Sequence, residues 1–288
     1  MDSIRETYEL TQWSDYWPTI EQIRRKYAER IVEGGNRRKF EHTQQMFYRG
    51  HSNADWLLQT TLERRTNEEF SIELYVKCAT RYAEEIEAFT GKHWNETSYN
   101  QVCEAFKYFD ALDPRLPCYD YLVYLRHLGF PSPLLDWTRS PFIAAYFAFA
   151  NPFPGDQVSV FVLIETPDSG KMLTEGKPRI KVLGPFTRTH PRHFSQQAQY
   201  SIATMSTGNE HVFCRHDQAL EVDLDSIIDQ NVLVKITLPK SERWEALCYL
   251  EEHNLNHFTL FQDEESLISA ISIREFDVRR PGFNRFRS

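Results

Sequence analysis

The chain has 288 residues, of which 41% are hydrophobic and 26% charged, and its formal net charge is −8. That balance excludes a disordered, collagen-like or disulfide-scaffold protein and leaves ample chain to bury a core. The acidic total also argues against a protein that coats nucleic acid non-specifically, because such binding needs a basic surface.

Basic clusters nonetheless remain at Arg24, Arg25 and Lys26, at Arg37, Arg38 and Lys39, at Arg64 and Arg65, and in a tail with Arg279, Arg280, Arg285 and Arg287. They keep an RNA or DNA substrate open. No apolar run reaches the roughly 18 residues that crossing a bilayer takes, and the first twenty residues show no export pattern. The expectation is a cytoplasmic chain with no membrane partner. Five cysteines (Cys78, Cys103, Cys118, Cys214, Cys248) form no CxxC pair, which fits a reducing compartment. Residues 187–193 carry His190 and His193, but no HExxH and no neighbouring cysteine accompany them, so no metal is expected.

In chain order, Trp13, Trp17, Ile20, Ile23 and Tyr27 recur at helical spacing and predict a helical N-terminal piece over residues 1–40, ending at Gly34, Gly35 and Asn36. Residues 45–50 read as a short strand stopped by a glycine. Helical patterns follow over 68–89 and 101–109, a turn at 113–117, and a helix over 119–128 that enters the loop 129–133. Residues 134–138 (LLDWT) are a short apolar segment, after which Pro141 starts a helix capped by Ser140. The texture then changes, with strands predicted over 158–164, 179–183, 200–204 and 232–238. Helices are expected over 242–253 and from about 264 to 275, with a further short segment at 257–261. Helices dominate the first half and strands the second, which reads as α+β and not as a doubly wound sheet. No glycine-rich phosphate loop and no GxSxG elbow is present.

Two segments carry chemistry. In the first, Tyr48, Arg49, Gly50 and His51 put a guanidinium at the end of an apolar strand, where it can fork onto phosphate or carboxylate. The glycine would let a ligand approach the backbone; a buried salt bridge beside a turn glycine accounts for the pair equally well. In the second, running from His127, the residues Asp136, Trp137 and Thr138 lie where a strand gives way to a helix, a common place for polar groups to converge on a ligand.

The stretch FYRGHSNADWLLQTTLER resembles the opening block of the FRG domain family, with Tyr48 where the name-giving triplet has Phe. The stretch RHLGFPSPLLDWTRSPFIAAYFA resembles the family's second block. Looser matches follow at residues 195–201, with Ala198 in place of Gly, and at 259–261, with Gln262 in place of Pro. The likeness spans about residues 41–275, and it makes 41–288 one FRG domain with a helical insertion at about 68–128.

The same blocks resemble ADP-ribosyltransferases of the Arg-Ser-Glu type, in the same order, with Thr138 in the hydroxyl slot. This resemblance implies a split sheet and NAD as co-substrate. It implies that Tyr48, Arg49, Gly50, His51, His127, Trp137, Thr138 and Gln199 hold the cofactor. Arg49 would contact the dinucleotide phosphate or ribose, Gly50 would offer its backbone to the nicotinamide amide, and Thr138 would steady Arg49. Trp137 or His51 would cover a ring. The slot of the catalytic glutamate offers only Gln196, Gln197 and Gln199, so the catalytic candidates are Arg49, Asp136, Thr138, Gln197 and Glu265, with Glu210 and Glu264 as further acids. The function implied is transfer of ADP-ribose to a macromolecule, nucleic acid slightly ahead of protein. A toxin or phage-defence role, with a neutralising antitoxin as partner, follows by analogy. The alternatives are a non-catalytic nucleotide-binding or protein-interaction module and, behind it, a nuclease or hydrolase built on Asp136, Glu63 and histidines.

Overall fold

A run such as VSVFVLI has no polar face to turn to water, so it belongs in the middle of a sheet covered on both sides. The computed structural model, which describes residues 4–33, 46–66, 69–94, 98–107, 118–151, 153–165, 176–184, 192–207, 210–220 and 231–278, puts it there. Among those residues, nine strands form one open, mostly antiparallel sheet. In chain order they are β1 (Glu6–Glu9), β2 (Met46–His51), β3 (Phe70–Ser71), β4 (Leu134–Thr138), β5 (Gln157–Glu165), β6 (Arg179–Leu183), β7 (Ala198–Thr207), β8 (Glu210–Phe213) and β9 (Asn231–Pro239). The spatial order is β1-β9-β5-β2-β4-β7-β8-β3, with β6 also paired to β7. Helices and this sheet together make a mixed α+β architecture.

The helices that matter for the site are α1 (Tyr16–Glu33), α2 (Thr61–Thr66), α3 (Ile72–Thr80), α4 (Ala83–Thr90), α5 (Tyr99–Lys107), α6 (Tyr119–His127) and α7 (Pro141–Phe149). They are followed by α8 (Arg192–Ser195), α9 (His216–Ala219), α10 (Arg243–Glu252), α11 (His257–Phe261) and α12 (Glu264–Ser272). Helix α7 begins as its sequence dictates, with the Ser140 side chain accepting from the Ile143 amide and Pro141 in the first turn.

Three apolar clusters hold the layers. The first packs α1, α7 and α10 on β5 and β9, and it buries Tyr16, Ile20, Ile23 and Tyr27 of α1 completely or nearly so. The N-terminal residues expected to be helical therefore open with a strand, β1, parallel to β9, and α1 is built into the main core. The second packs α3 and α6 on β7. The third gathers Phe47, Leu135, Trp137, Phe161 and Leu163 and reaches across the middle of the sheet.

That middle is unusual. β2 pairs with β5 over six residues and β4 with β7 over five, but β2 and β4 meet at a single pair, Tyr48 with Thr138. The sheet has a seam there. The helical stretch expected over 68–89 is interrupted, opening with β3 and breaking between α3 and α4. The turn expected at 113–117 and the glycine break at 34–36 lie outside the described residues. No described helix is long and apolar enough to cross a membrane.

Candidate functional site

The seam is where the charged residues converge. One residue past the Tyr48–Thr138 pair, Arg49 donates from one terminal nitrogen to the main-chain carbonyl of Asp136 at 2.8 Å, and that nitrogen lies 3.7 Å from the Asp136 Oδ2. Its Nε donates to His51 Nε2 at 3.0 Å. From the last turn of α6, Arg126 clasps the same carboxylate with two parallel bonds, Nε to Oδ1 at 2.5 Å and a terminal nitrogen to Oδ2. One carboxylate thus serves two guanidiniums. The Asp136 side chain keeps 45% of its surface accessible and Arg49 keeps 18%, so the group is open to solvent on one side.

The electrostatics follow from this crowding. Burial alone would raise the Asp136 carboxyl, but Arg126 and then Arg49 hold it down at about 2. Burial lowers Arg49 to about 10, with Asp136 opposing and Arg126 adding to the drop. His51 is pushed down to about 3, first by burial and then by the Arg49 charge. Accepting from Arg49 at Nε2 also fixes its proton on Nδ1. His127, at the end of α6, is likewise lowered to about 3 by burial and by Arg192. Its Nε2 faces the Tyr200 hydroxyl at 3.3 Å. Both imidazoles are neutral at pH 7; the Trp56 main chain opposes part of the drop at His51, and His127 leaves a buried Nδ1 without a hydrogen-bond partner among the described residues. Tyr200 lies opposite Asp136 in the β4–β7 ladder, and burial followed by the Asp136 charge raises its hydroxyl pKa.

Several residues expected in the site lie elsewhere, most of them because neighbours on a strand point to opposite faces. Tyr48 is buried in the first core cluster with its hydroxyl accepting from Arg24 of α1. Gly50 faces α7: a Cβ there would lie 1.9 Å from the Ala144 carbonyl oxygen and 2.7 Å from the Ala148 nitrogen. Its lack of a side chain lets the helix seat, which corrects the expectation that it opens the backbone to a ligand. Thr138 does not steady Arg49; its hydroxyl donates to the Gln196 carbonyl at 2.7 Å and accepts from the Ser140 amide. Trp137 is core, so it has no face free to stack on a ligand.

The glutamines and acids separate in the same way. Gln199 is buried opposite Trp137. Gln197 is exposed in the turn before β7, with a positive φ of 46°. Gln196 donates to the Leu260 carbonyl at 3.1 Å. Glu265 is exposed in the first turn of α12, and its charge acts on His257. Glu264 is exposed beside it, and Glu210 is the first residue of β8. The seam therefore brings together Arg49, His51 and Asp136, with His127 close by, and adds Arg126, which the sequence reading did not single out.

Trp137 leads into a second polar system. Its indole nitrogen donates to Ser201 Oγ at 2.8 Å, Ser201 Oγ meets His216 Nε2 at 3.0 Å, and His216 Nδ1 meets Glu63 Oε1 at 2.6 Å. Ser201 and His216 are fully buried, so this Ser–His–Glu line is structural wiring between β4, β7, α9 and α2 and not an accessible nucleophile. Glu63 is thereby committed, which removes it from the metal-based hydrolase reading. No group of three potential metal ligands occurs among the described residues. A wide groove between α2, α3, α4 and α6, lined by Tyr75, Tyr82, Phe89 and Leu128 among others, contains none of the candidate residues.

No curated protein and no solved structure matches the chain. The FRG domain model matches residues 44–157, the segment that runs from β2 into β5 and carries Arg49, His51, Arg126, His127 and Asp136, and this supports the FRG family for that part of the chain.

Proposed function

We propose that the seam binds NAD and that the chain is an NAD-dependent ADP-ribosyltransferase acting on a macromolecular acceptor. The observation that carries this reading is the placement of Arg49 at the seam beside Arg126 with one carboxylate between them. Two guanidiniums against a single Asp136 leave a surplus positive charge in a half-buried crevice, which suits a diphosphate. The residues present fit the dinucleotide in a second respect. His127 is neutral and its buried Nδ1 has no partner among the described residues, so a polar atom of a ligand would satisfy it.

The reaction supplied by NAD is displacement at the ribose C1′: nicotinamide leaves with the bonding pair, and an acceptor nucleophile bonds to C1′ and gives up its proton. Arg49 and Arg126 hold and orient the diphosphate. Asp136 supplies the negative charge that faces the positive charge developing on the ribose, at a pKa that keeps it ionised throughout the physiological range. A toxin or defence role with a neutralising partner goes with this activity.

A second reading is favoured by one specific observation. Both Asp136 oxygens are already bonded to Arg126, and the slot expected for a catalytic glutamate holds Gln196, Gln197 and Gln199, which carry no charge. On this reading the crevice binds a nucleotide without cleaving it. The deciding experiment incubates purified protein and cell extract with NAD labelled on its adenylate phosphate. Label removed by nuclease identifies a nucleic-acid modifier and label removed by protease a protein modifier. Folded protein that binds NAD but releases no nicotinamide makes the chain a binding module.

A further inference from the structure

We infer that Trp56 and Phe153 form a stacking platform for a base of a single-stranded nucleic acid; that this strand is the acceptor of ADP-ribose rests on the transferase reading, whereas its binding does not.

The platform is an exposed apolar surface that Leu57, itself exposed, extends. Trp56 is 40% exposed and Phe153 45%, and their rings meet edge to face at 4.7 Å between centroids. Leaving two large rings in water forgoes the gain of burying them, and contiguous exposed aromatics mark binding surfaces. The turn that carries the indole is also held firmly in place. That turn is closed by Trp56 N donating to the Asn53 carbonyl at 3.3 Å and by Asp55 N donating to Asn53 Oδ1 at 2.8 Å. It is tied to β5 through Ala54 N and the Gln157 carbonyl at 2.9 Å, and to β9 through Lys235 Nζ and the Ala54 carbonyl at 2.7 Å. A ring on a fixed turn loses less freedom on binding than one on a loose loop.

The platform is continuous with the crevice. His51 takes the hydrogen bond from Arg49 on one side and meets the Trp56 ring edge to face at 6.1 Å on the other. Its chemistry points to bases on a phosphate strand. Every base offers a π-face to an indole, and two ammonium groups reach the main chain of the same loops: Lys240 donates to the Phe153 carbonyl, and Lys235 of β9 donates to the Ala54 carbonyl, with Asp55 as the opposing acid. Transfer then joins a base nitrogen to the ribose C1′. Nicotinamide departs with the bonding pair, and the proton of the base nitrogen goes to water.

The test is fluorescence anisotropy of the full chain with a labelled single-stranded oligonucleotide of mixed sequence, once as DNA and once as RNA. Trp56→Ala is expected to weaken binding about tenfold with an unchanged melting temperature, Trp56→Phe to retain most of it, and added salt to weaken both complexes. The DNA and RNA arms show which strand is preferred. Wild-type protein that binds neither strand, or Trp56→Ala that binds as wild type, overturns the platform. Labelled NAD separates this from the function itself. Strand binding through Trp56 without nicotinamide release removes the transferase reading and leaves the platform standing. Nicotinamide release with label on protein in both wild type and Trp56→Ala overturns the nucleic-acid acceptor.

Discussion

The Arg49 guanidinium donates to the Asp136 carbonyl at the point where β2 and β4 cease to pair, so a side chain stands in for the missing rungs of a ladder. A main-chain acceptor left unpaired in a half-buried gap would carry a cost, and Arg49 removes it while keeping part of its charge turned outward. The same residue serves the fold and the proposed ligand. Arg49→Ala is expected to abolish nicotinamide release and NAD binding, read by a thermal-shift titration, while circular dichroism reports a folded chain. Undiminished turnover in that variant would remove the assigned role.

Arg126→Ala leaves Asp136 with Arg49 as its remaining cation. The carboxylate loses its clasp from α6, and stability is expected to fall by roughly 1–3 kcal/mol in urea unfolding, the usual range for breaking a charged hydrogen bond. Arg126→Lys restores the charge without the two-pronged geometry and should recover only part of the loss.

At Gly50 the α7 backbone leaves no room for a methyl group. Gly50→Ala forces helix and strand apart and is expected to cost roughly 3 kcal/mol, the upper end of the overpacking range. The readout is equilibrium unfolding, and a loss below about 0.5 kcal/mol, within the range of ordinary surface changes, would mean that α7 does not seat on this residue.

Acid is expected to destabilise the protein in two stages. His51 and His127 have folded pKa values near 3 against an ordinary 6.5, so the unfolded chain binds more protons between those limits. Stability therefore falls as pH drops from about 6.5 towards 3, by at most about 1.4 kcal/mol per pH unit for each histidine. Asp136, held near 2 against 3.8, adds a loss between pH 4 and 2. His127→Gln should flatten the first stage of a stability-against-pH curve, and an unchanged slope would show that this imidazole is not held neutral.

Ser201→Ala removes the atom shared by the Trp137 indole and His216, stranding the indole N–H and His216 Nε2 in the interior. A cost of about 2 kcal/mol is expected, with a change in tryptophan emission as the indole loses its partner. Preserved stability would mean that water or a side-chain shift repairs the line.

What could be read from the sequence was local. β5 and β9 announce themselves as continuous apolar runs, and α7 as Ser140-Pro141 before an apolar block. β1 did not, because ETYE is an edge strand with half its residues exposed, and its partner lies more than two hundred residues away in β9. The same division runs through the site. Arg49, His51, His127 and Asp136 stand out within two compact motifs. Tyr48, Gly50 and Trp137 are drawn in with them because adjacency in sequence says nothing of which strand face a residue takes, and Thr138 because the sequence does not show that Gln196 and Ser140 take up its hydroxyl. Arg126 reads as an ordinary cation closing a helix until the loop after α6 brings Asp136 back beside it. Glu63, Ser201 and His216 form no pattern at all, since their line exists only once α2, β7 and α9 have assembled.

The single pair joining β2 to β4 bears on how the crevice is able to move. Across the seam, backbone bonding gives way to side-chain contact between Phe47, Phe161 and Leu163 on one side and Leu135 and Trp137 on the other. A ladder resists sliding because its bonds are directional, whereas apolar packing tolerates small shear. The aperture over Arg49 is thus set by apolar packing, one backbone pair and one guanidinium tie, and an anion that drew Arg49 off the Asp136 carbonyl would loosen the jaw that holds it.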